Sequence, residues 1–383
     1  MMEKIAILGS TGSIGVNALE VVSSLKDRFE VVALSADSNA ELLSKQSRAF
    51  LPKVIAIRDD KLAKKLKRTV PSGTRIVCGM DGLAEIASRS DVDVVLFALS
   101  GAVCLIPLIE AIRHRKRIAL ANKESLVCAG SIIKSEARRH NVRIVPIDSE
   151  HSAIFQCIEG RERFLAKIYL TGSGGPLLDV PVKKFDKLPR EFILRHPRWK
   201  MGKKISVDSA TMMNKGLEII EAKHLFDINE KEIEVLIHPE AIIHSMVELT
   251  DGAILAQMGA PDMRSPIQYA LTYPNRLKSL ARNVDFSRIA ALTFRQPDVK
   301  KFPCLSIARQ AARDGGSAPA ALCAADEELV GAYLGKKIRF SDIPKNIEKV
   351  LSRHKNIDRE PSIYDVLEAD RWAREEARSL CCH

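Results

Sequence analysis

The chain has 383 residues and a formal net charge of +11, and this length is sufficient for two or three domains with a sizeable core. Its 46% hydrophobic and 28% charged residues are typical of globular proteins and exclude disorder for most of the chain. The eight cysteines form no CxxC pair, and no signal-like segment or membrane-length apolar run is apparent. We therefore expect a cytoplasmic protein with reduced thiols.

The positive charge is spread along the chain rather than concentrated in one segment. Its visible clusters lie at 64–68, 113–117 and 336–337, and none is interleaved with aromatic residues that would stack on bases. We interpret each cluster as solvated surface and expect no nucleic-acid or membrane partner.

The first part of the chain alternates short β-branched runs with amphipathic helical stretches. The runs lie at 5–8, 30–34, 54–57, 92–97, 117–120 and 142–145. This alternation predicts an α/β fold with an N-terminal doubly wound, Rossmann-like parallel sheet over residues 1–147.

The residue composition and the hydrophobic pattern change after residue 147. Gly and Ser clusters, a Pro-rich basic loop and alternating strands predict a central α+β domain over 148–285, followed by a linker at 286–305. Helical periodicity at 306–313, 318–334, 344–354 and 362–380 predicts a helical C-terminal domain over 306–383.

A glycine-rich turn follows the first predicted strand and leads into a helix. The segment Gly9–Gly15 has the strand-turn-helix context of a dinucleotide fingerprint, in which the helix N-terminus faces the pyrophosphate. The second strand is followed by Asp37, an acidic residue of the kind that binds a ribose 2′-hydroxyl and favours NAD. The alternative is that Asp37 or Ser38 caps the next helix.

Three carboxylates are candidate metal ligands. Asp148 and Glu150 follow a strand-like run, and alternation would place both on one side of an extended backbone, as suits Mg²⁺ or Mn²⁺. Glu218 is the best third ligand, and Glu221, one helical turn later, competes with it. An exposed acidic pair without a metal is the simpler alternative.

Polar groups suited to a phosphate recur in the same region. They are Ser173, Ser209, Asn214 and Lys215, and hydroxyl, amide and ammonium groups all donate to phosphate oxygens. Lys123 follows a strand and could polarise a carbonyl at the carboxyl edge of the sheet. The alternative is a helix N-terminus capped by Asn122.

The motifs at 9–15, 120–127, 146–156, 171–176, 196–222, 238–246 and 259–271 together closely resemble the 1-deoxy-D-xylulose 5-phosphate reductoisomerase family. The resemblance implies conversion of 1-deoxy-D-xylulose 5-phosphate to 2-C-methyl-D-erythritol 4-phosphate, for isoprenoid precursors, by a homodimer. It also implies NADPH and a divalent metal, Mg²⁺ or Mn²⁺ with Co²⁺ as a further option.

The resemblance also implies roles for individual residues. The cofactor would contact Thr11, Gly12, Ser13, Ile14, Asn39, Asn122, Glu124 and Gly202. The metal would be held by Asp148, Glu150 and Glu218. Lys123, Ser149 and Glu150 would face the oxygenated end of the substrate, with its phosphate on Ser173, Ser209, Asn214 and Lys215. The segment near 196–202 would be a mobile flap in which His196 and Trp199 contact the substrate.

One departure from the family pattern affects the choice of cofactor. Many members carry a small and a basic residue where this chain has Asp37 and Ser38. Asn39 is retained, and Arg58 at the end of the third strand could supply charge, so we expect NADPH to be preferred over NADH by a reduced margin.

Two other functions remain open from the sequence. A metal-independent NAD(P) dehydrogenase of a phosphorylated aldehyde would keep its activity in a chelator. A protein that only binds nucleotide or nucleic acid would show no turnover, but the clustered carboxylates would repel a phosphate backbone and argue against it.

Overall fold

The computed structural model describes residues 2–199, 201–357 and 360–381. The described chain forms two compact units. The first contains the chain up to Asn122 together with Ile133–Ser152 and Asp262–Arg282. The second contains Lys123–Ile132, Ala153–Pro261 and the chain from Asn283 onward.

The first unit is built around a seven-stranded parallel sheet. Its strands are β1 (Glu3–Leu8), β2 (Phe29–Ala36), β3 (Val54–Ile57), β4 (Arg75–Cys78), β5 (Val94–Phe97), β6 (Arg117–Leu120) and β7 (Ile144–Pro146). The order β4-β3-β2-β1-β5-β6-β7 reverses direction between β1 and β5. In doubly wound folds, ligands bind at the carboxyl ends of the strands beside such a reversal.

Helices connect these strands, and each buries an apolar face. They are α1 (Ser13–Ser24), α2 (Ala40–Phe50), α3 (Asp60–Leu66), α4 (Gly79–Ser88) and α5 (Leu105–Arg113). Two further helices, α6 (Lys123–His140) and α7 (Ser149–Ile158), contain residues of both units. The central strands β1, β3 and β5 are buried nearly throughout, as their unbroken apolar runs predict for a sheet covered on both faces.

The predicted fold class is confirmed, with one strand missed. Strand β4 was not predicted because it lies at the sheet edge and its four residues are exposed or half-buried. Its apolar run covers only residues 76–78, shorter than the runs of about four to eight residues that indicate a buried strand.

The second unit combines a four-stranded sheet with helices. Its strands are β8 (Leu165–Gly172), β9 (Ile233–Ile237), β10 (Ile243–Leu249) and β11 (Ile254–Met258), in the order β11-β10-β8-β9. Only β8 and β9 pair in parallel. Within the predicted linker, Arg295 exchanges two backbone hydrogen bonds with Ile237 at the β9 edge.

The remaining helices are α8 (Arg190–Ile193), α9 (Lys203–Thr211), α10 (Met213–Phe226), α11 (Arg264–Thr272), α12 (Pro303–Asp314), α13 (Ala318–Leu334), α14 (Asp342–Arg353) and α15 (Ile363–Ser379). Helix α11 belongs to the first unit and the others to the second. The four C-terminal helices follow the predicted stretches closely, and α13 is mostly buried. The domain boundaries given above remain predictions. Among the described residues, no helix combines the length and apolar character that a membrane crossing requires.

Candidate active site

The glycine-rich turn after β1 is tightly fixed. Gly9 has a φ of +89°, and a β-carbon there would lie 2.4 Å from the carbonyl oxygen of Ala98, so only glycine fits. The Gly9 N–H donates to the hydroxyl of Ser35, 2.9 Å away. Ser10 and the buried Gln46 exchange two hydrogen bonds of 2.7 and 2.8 Å. Strand β2 and helix α2 therefore hold the turn in place.

Thr11, Gly12, Ser13 and Ile14 form the entry to helix α1. Gly12 occupies the cap position and provides no side-chain acceptor. Among the described residues, the N–H groups of Ser13, Ile14 and Gly15 have no hydrogen-bond acceptor. Unpaired donors at a helix N-terminus attract an anion, which is what the predicted pyrophosphate site requires.

Asn39 and Asp37 follow strand β2. The side chain of Asn39 accepts a hydrogen bond from the Leu42 N–H at 3.0 Å and caps α2, so the alternative in which Asp37 or Ser38 is the cap is wrong. Asp37 instead forms an exposed ion pair with Arg58, with Oδ2 and Nη1 3.2 Å apart. The charge expected to attract a 2′-phosphate is therefore shared with a carboxylate.

The other predicted cofactor residues lie at the starts of helices. Asn122 precedes α6, and its amide nitrogen donates to the carbonyls of Leu99 and Gly101, both at 3.1 Å. Glu124 is half-buried in the first turn of α6. Gly202 is exposed before α9, and a β-carbon there would meet nothing within 4 Å.

The carboxylates of Asp148 and Glu150 lie at the start of a helix. The expectation of extended backbone is wrong, because β7 ends at Pro146 and α7 begins at Ser149. The Asp148 Oδ1 atom accepts from the Glu150 N–H at 3.3 Å and lies 3.3 Å from Nδ1 of the fully buried His151. The hydroxyl of Ser149 donates to Glu150. The first helical turn, not strand alternation, orients this carboxylate pair.

In the second unit, Glu218 is the centre of a buried polar cluster, and only 1% of it is exposed. Lys123 Nζ lies 3.2 Å from one carboxylate oxygen, and Lys215 Nζ lies 2.5 Å from the other. The amide of Asn214 donates to Glu218 and accepts from Lys123, the latter at 2.7 Å. Four predicted site residues are thus brought together. We call this group the Glu218 cluster.

The predicted phosphate residues surround the loop that follows β8. A β-carbon at Gly172 would lie 2.8 Å from Lys215 Cε, and one at Gly175 would lie 2.7 Å from the Ser209 carbonyl oxygen. These close approaches place Lys215 and Ser209 directly against the loop that carries Ser173. The sequence pattern indicated a phosphate site but gave no sign of these approaches.

The predicted flap begins at His196, whose ring connects it to Ser173. The backbone N–H groups of Arg198 and Trp199 donate to His196 Nδ1 at 3.2 and 3.0 Å. Since Nδ1 accepts, the neutral ring carries its proton on Nε2, which donates to Ser173 Oγ, 3.0 Å away. The Ser173 proton is then available to another acceptor. Lys200, within the predicted flap, lies outside the described residues.

Sequence reasoning missed a second buried charge cluster next to Ser209. Lys204 Nζ lies 2.7 Å from Asp208 and 2.8 Å from Asp326. Both carboxylates are buried, and Asp208 Oδ1 and both Asp326 oxygens accept no hydrogen bond. Burial and then repulsion from Asp326 raise the pKa of Asp208 well above its ordinary value. We call these three residues the Lys204 cluster.

Comparisons with known proteins agree along the whole chain. Three family models match it: 1-deoxy-D-xylulose 5-phosphate reductoisomerase at 5–130, the C-terminal domain of that enzyme at 144–226, and the DXP reductoisomerase C-terminal domain at 258–376. The 1-deoxy-D-xylulose 5-phosphate reductoisomerase of Acetivibrio thermocellus is 50% identical over 98% of both chains. That of Heliobacterium modesticaldum is 49% identical over 98% of this chain and 96% of its own.

Solved structures give the same result. The Zymomonas mobilis reductoisomerase in complex with NADPH has a TM-score of 0.92 at 40% identity and covers all of both chains. A DOX-P reductoisomerase with NADPH, fosmidomycin and magnesium has a TM-score of 0.95 at 40% identity, covering 99% of this chain and 98% of its own.

Together, the Rossmann-like sheet and its glycine-rich turn define a dinucleotide-dependent oxidoreductase. More specifically, the chain belongs to the 1-deoxy-D-xylulose 5-phosphate reductoisomerase family. The resemblance drawn from the sequence motifs is confirmed.

Proposed function

We infer that this chain catalyses the NADPH- and divalent-metal-dependent isomerisation and reduction of 1-deoxy-D-xylulose 5-phosphate to 2-C-methyl-D-erythritol 4-phosphate. The observation that carries this inference is the 50% identity to a reductoisomerase over 98% of both chains. Structural relatives in complex with NADPH and magnesium support the choice of both cofactors. The alternative of a metal-independent aldehyde dehydrogenase is not favoured.

The described residues fit both NADPH and a divalent cation. The unpaired N–H groups at the start of α1 suit the NADPH pyrophosphate. Asp148, Glu150 and Glu218 offer the carboxylate oxygens that Mg²⁺ and Mn²⁺ prefer, and we propose them as the metal ligands. When bound, NADPH supplies the hydride, and the divalent cation stabilises negative charge on the substrate oxygens.

The lysines of the Glu218 cluster have defined roles in this proposal. The carboxylate of Glu218 contacts the ammonium groups of both Lys123 and Lys215. With Glu218 as a metal ligand, the ammonium groups of Lys123 and Lys215 would face the anionic substrate. Lys123 then stabilises charge at the reacting oxygens with Ser149, and Lys215 faces the phosphate.

The remaining polar groups bind and enclose the substrate. Ser173 and Ser209 donate to its phosphate, and Asn214 orients Lys123 through its side-chain oxygen. Since His196 Nε2 donates to Ser173, closure of the flap and orientation of the Ser173 hydroxyl are linked. Trp199 covers the bound substrate and excludes water, so the aldehyde formed by isomerisation is retained until it is reduced.

The reaction is tested by NADPH oxidation with 1-deoxy-D-xylulose 5-phosphate, measured by absorbance with EDTA and after addition of Mn²⁺ or Mg²⁺. We expect oxidation only with metal, and a branched methylerythritol phosphate as the product by mass and NMR. Metal-independent oxidation that gives an unbranched product would instead support the simple dehydrogenase.

The Asp37–Arg58 ion pair is expected to limit how strongly the chain prefers NADPH over NADH. A carboxylate 3.2 Å from Arg58 competes with a 2′-phosphate for the guanidinium. We therefore expect Asp37→Ala to lower the KM for NADPH by about 3- to 10-fold, since a surface ion pair is worth up to about 1 kcal/mol and repulsion is also removed. The KM for NADH should change by less than twofold.

Steady-state kinetics with NADPH and with NADH measures the KM for each cofactor. Asp60→Ala is the matched control, because Asp60 is exposed at the start of α3 and forms no ion pair in the described chain. Equal changes for NADPH and NADH in Asp37→Ala would contradict a role in reading the 2′-phosphate.

We also propose a cytoplasmic homodimer. None of the seven described cysteines forms a disulfide, as expected in a reducing compartment. Strand β11 lies at the edge of its sheet and leaves Ile254 54% and Met258 37% exposed, so it offers an edge on which a second copy could pair. Ile254→Lys should shift the sedimentation coefficient from dimer to monomer; an unchanged dimer would exclude this edge.

A further inference from the structure

A cleft in the second unit is lined by residues of the segments 185–190 and 333–346 and by Leu380 and Cys381. Its volume is about 700 Å³, and Phe185, Arg190, Tyr333, Lys336, Lys337 and Arg339 are among its lining residues. This volume is in the range of small-molecule sites. None of the predicted site residues lines the cleft.

Four cations line this cleft without a carboxylate partner. In the described part of the chain, no acidic side chain lies within ion-pair distance of Arg190, Lys336, Lys337 or Arg339. The arginines of α15 are different: Arg374, for example, pairs with three carboxylates. The cleft therefore has four cations against two carboxylates, which leaves it with an excess of positive charge.

The two carboxylates of the lining are already engaged by its backbone. Asp186 accepts from the Ser341 N–H at 2.9 Å and from the Ser341 hydroxyl at 2.6 Å. Asp342 accepts from the Arg339 N–H at 3.0 Å. Both acidic groups thus hold the wall of the cleft in place and leave its cations free for a ligand.

Arg190 is the most constrained of the four cations. Its guanidinium stacks 5.3 Å from the centre of the Tyr333 ring, and the buried Nε atom has no hydrogen-bond acceptor. Phe340 contacts both Tyr333 and Phe185 edge-on, with ring centroids 5.7 Å apart in each pair. A buried donor without an acceptor is costly, so an anion that reached Arg190 would relieve this cost.

We propose that this cleft binds a small polyanion of the diphosphate or polyphosphate class. Four cations match the several charges of such a group, and the fork of an arginine pairs well with phosphate oxygens. The cleft is too large for a single phosphate ion alone. The exposed lysines at 336–337, interpreted from the sequence as solvated surface, form its rim.

The test is isothermal titration of the full-length chain with inorganic pyrophosphate, with and without saturating substrate. We expect binding that persists when substrate fills the active site. Lys336→Gln/Lys337→Gln should weaken the affinity for pyrophosphate measured with substrate present about tenfold, and Arg190→Gln should have a similar effect. Turnover should stay unchanged in the double lysine variant, which confirms that it folds.

Lys64→Gln/Lys65→Gln is the matched control, because it removes two exposed charges from another basic cluster. It should leave the affinity for pyrophosphate within twofold. An equal loss in this control would show unspecific attraction to a basic protein and overturn the proposal. Complete displacement by substrate, or unchanged affinity in the Lys336/Lys337 variant, would overturn it as well.

Discussion

Two buried charge clusters in the second unit have opposite composition. The Glu218 cluster combines one carboxylate with the two ammonium groups of Lys123 and Lys215. The Lys204 cluster combines one ammonium group with the carboxylates of Asp208 and Asp326. Lys204 and Asp208 lie on α9, and Lys215 and Glu218 lie on the next helix, α10, so one short segment of chain contributes to both clusters.

The difference in composition indicates that one cluster binds ligands and that the other stabilises the fold. In our proposal, the ammonium groups of the Glu218 cluster face an anionic substrate, and its carboxylate binds a divalent cation. An excess of buried carboxylates has no such use and is relieved by protonation, in agreement with the raised pKa of Asp208. We infer that the Glu218 cluster serves catalysis and that the Lys204 cluster fixes α9 to α13.

The largest effect is expected for Glu218→Gln. The amide cannot ligate a divalent cation as a carboxylate does, so kcat/KM should fall about 10³-fold, and binding of Mn²⁺ should be lost. Enzyme kinetics and Mn²⁺ titration measure these two effects. Glu221→Gln is the matched control, since Glu221 is equally buried one turn later on α10. A greater loss of Mn²⁺ binding in that control would identify Glu221 as the ligand.

Lys204→Met should affect stability more than catalysis. The substitution leaves Asp208 and Asp326 buried together without a cation, and breaking such a group costs about 3 kcal/mol of unfolding free energy. Chemical denaturation measures this loss. At a temperature where the variant remains folded, we expect kcat within threefold of the parent chain. A variant as stable as the parent would remove the structural role assigned to the cluster.

The smallest effect is expected for Asp326→Asn and concerns pH. Because the pKa of Asp208 is raised in the folded chain, the folded state holds a proton that the unfolded state has released. The contribution of this group to stability is therefore greatest below about pH 4 and declines as pH rises above that value. Removing the Asp326 charge lowers the pKa of Asp208 and should make the decline shallower.

Unfolding free energies between pH 5 and pH 8 measure this slope. Glu124 of α6 and the Cys304 thiol also act on these carboxylates, and they are unchanged in the variant. Asp314→Asn, at the exposed end of α12, should leave the slope as in the parent. A steeper decline in Asp326→Asn would contradict the assigned repulsion.

Local patterns predicted much of this molecule. The buried strands have continuous β-branched runs. The glycine-rich turn at Gly9 lies between a predicted strand and a predicted helix, as in a dinucleotide fingerprint. Local patterns did not predict where a helix begins to within one turn, and this position decides how the side chains are oriented. Asp148 and Glu150 were expected on extended backbone but lie at a helix start. Asn39 takes the cap position that the alternative interpretation gave to Asp37 or Ser38.

Contacts distant in sequence could not be predicted from one chain. Lys204 and Asp326 belong to helices separated by more than a hundred residues, and nothing local to either indicates the other. Lys123 and Glu218 are 95 residues apart, and nothing local to either indicates the other. Their association depends on how the helices pack, and the motif resemblance identified only those members that belong to the family pattern.

The paired hydrogen bonds between Ser10 and Gln46 have a consequence for the kinetics of cofactor binding. Since they fix the glycine turn before any nucleotide arrives, little conformational entropy is lost there on association. Binding of the nucleotide diphosphate moiety should then follow a single exponential whose rate rises linearly with concentration, with no slow loop-ordering phase.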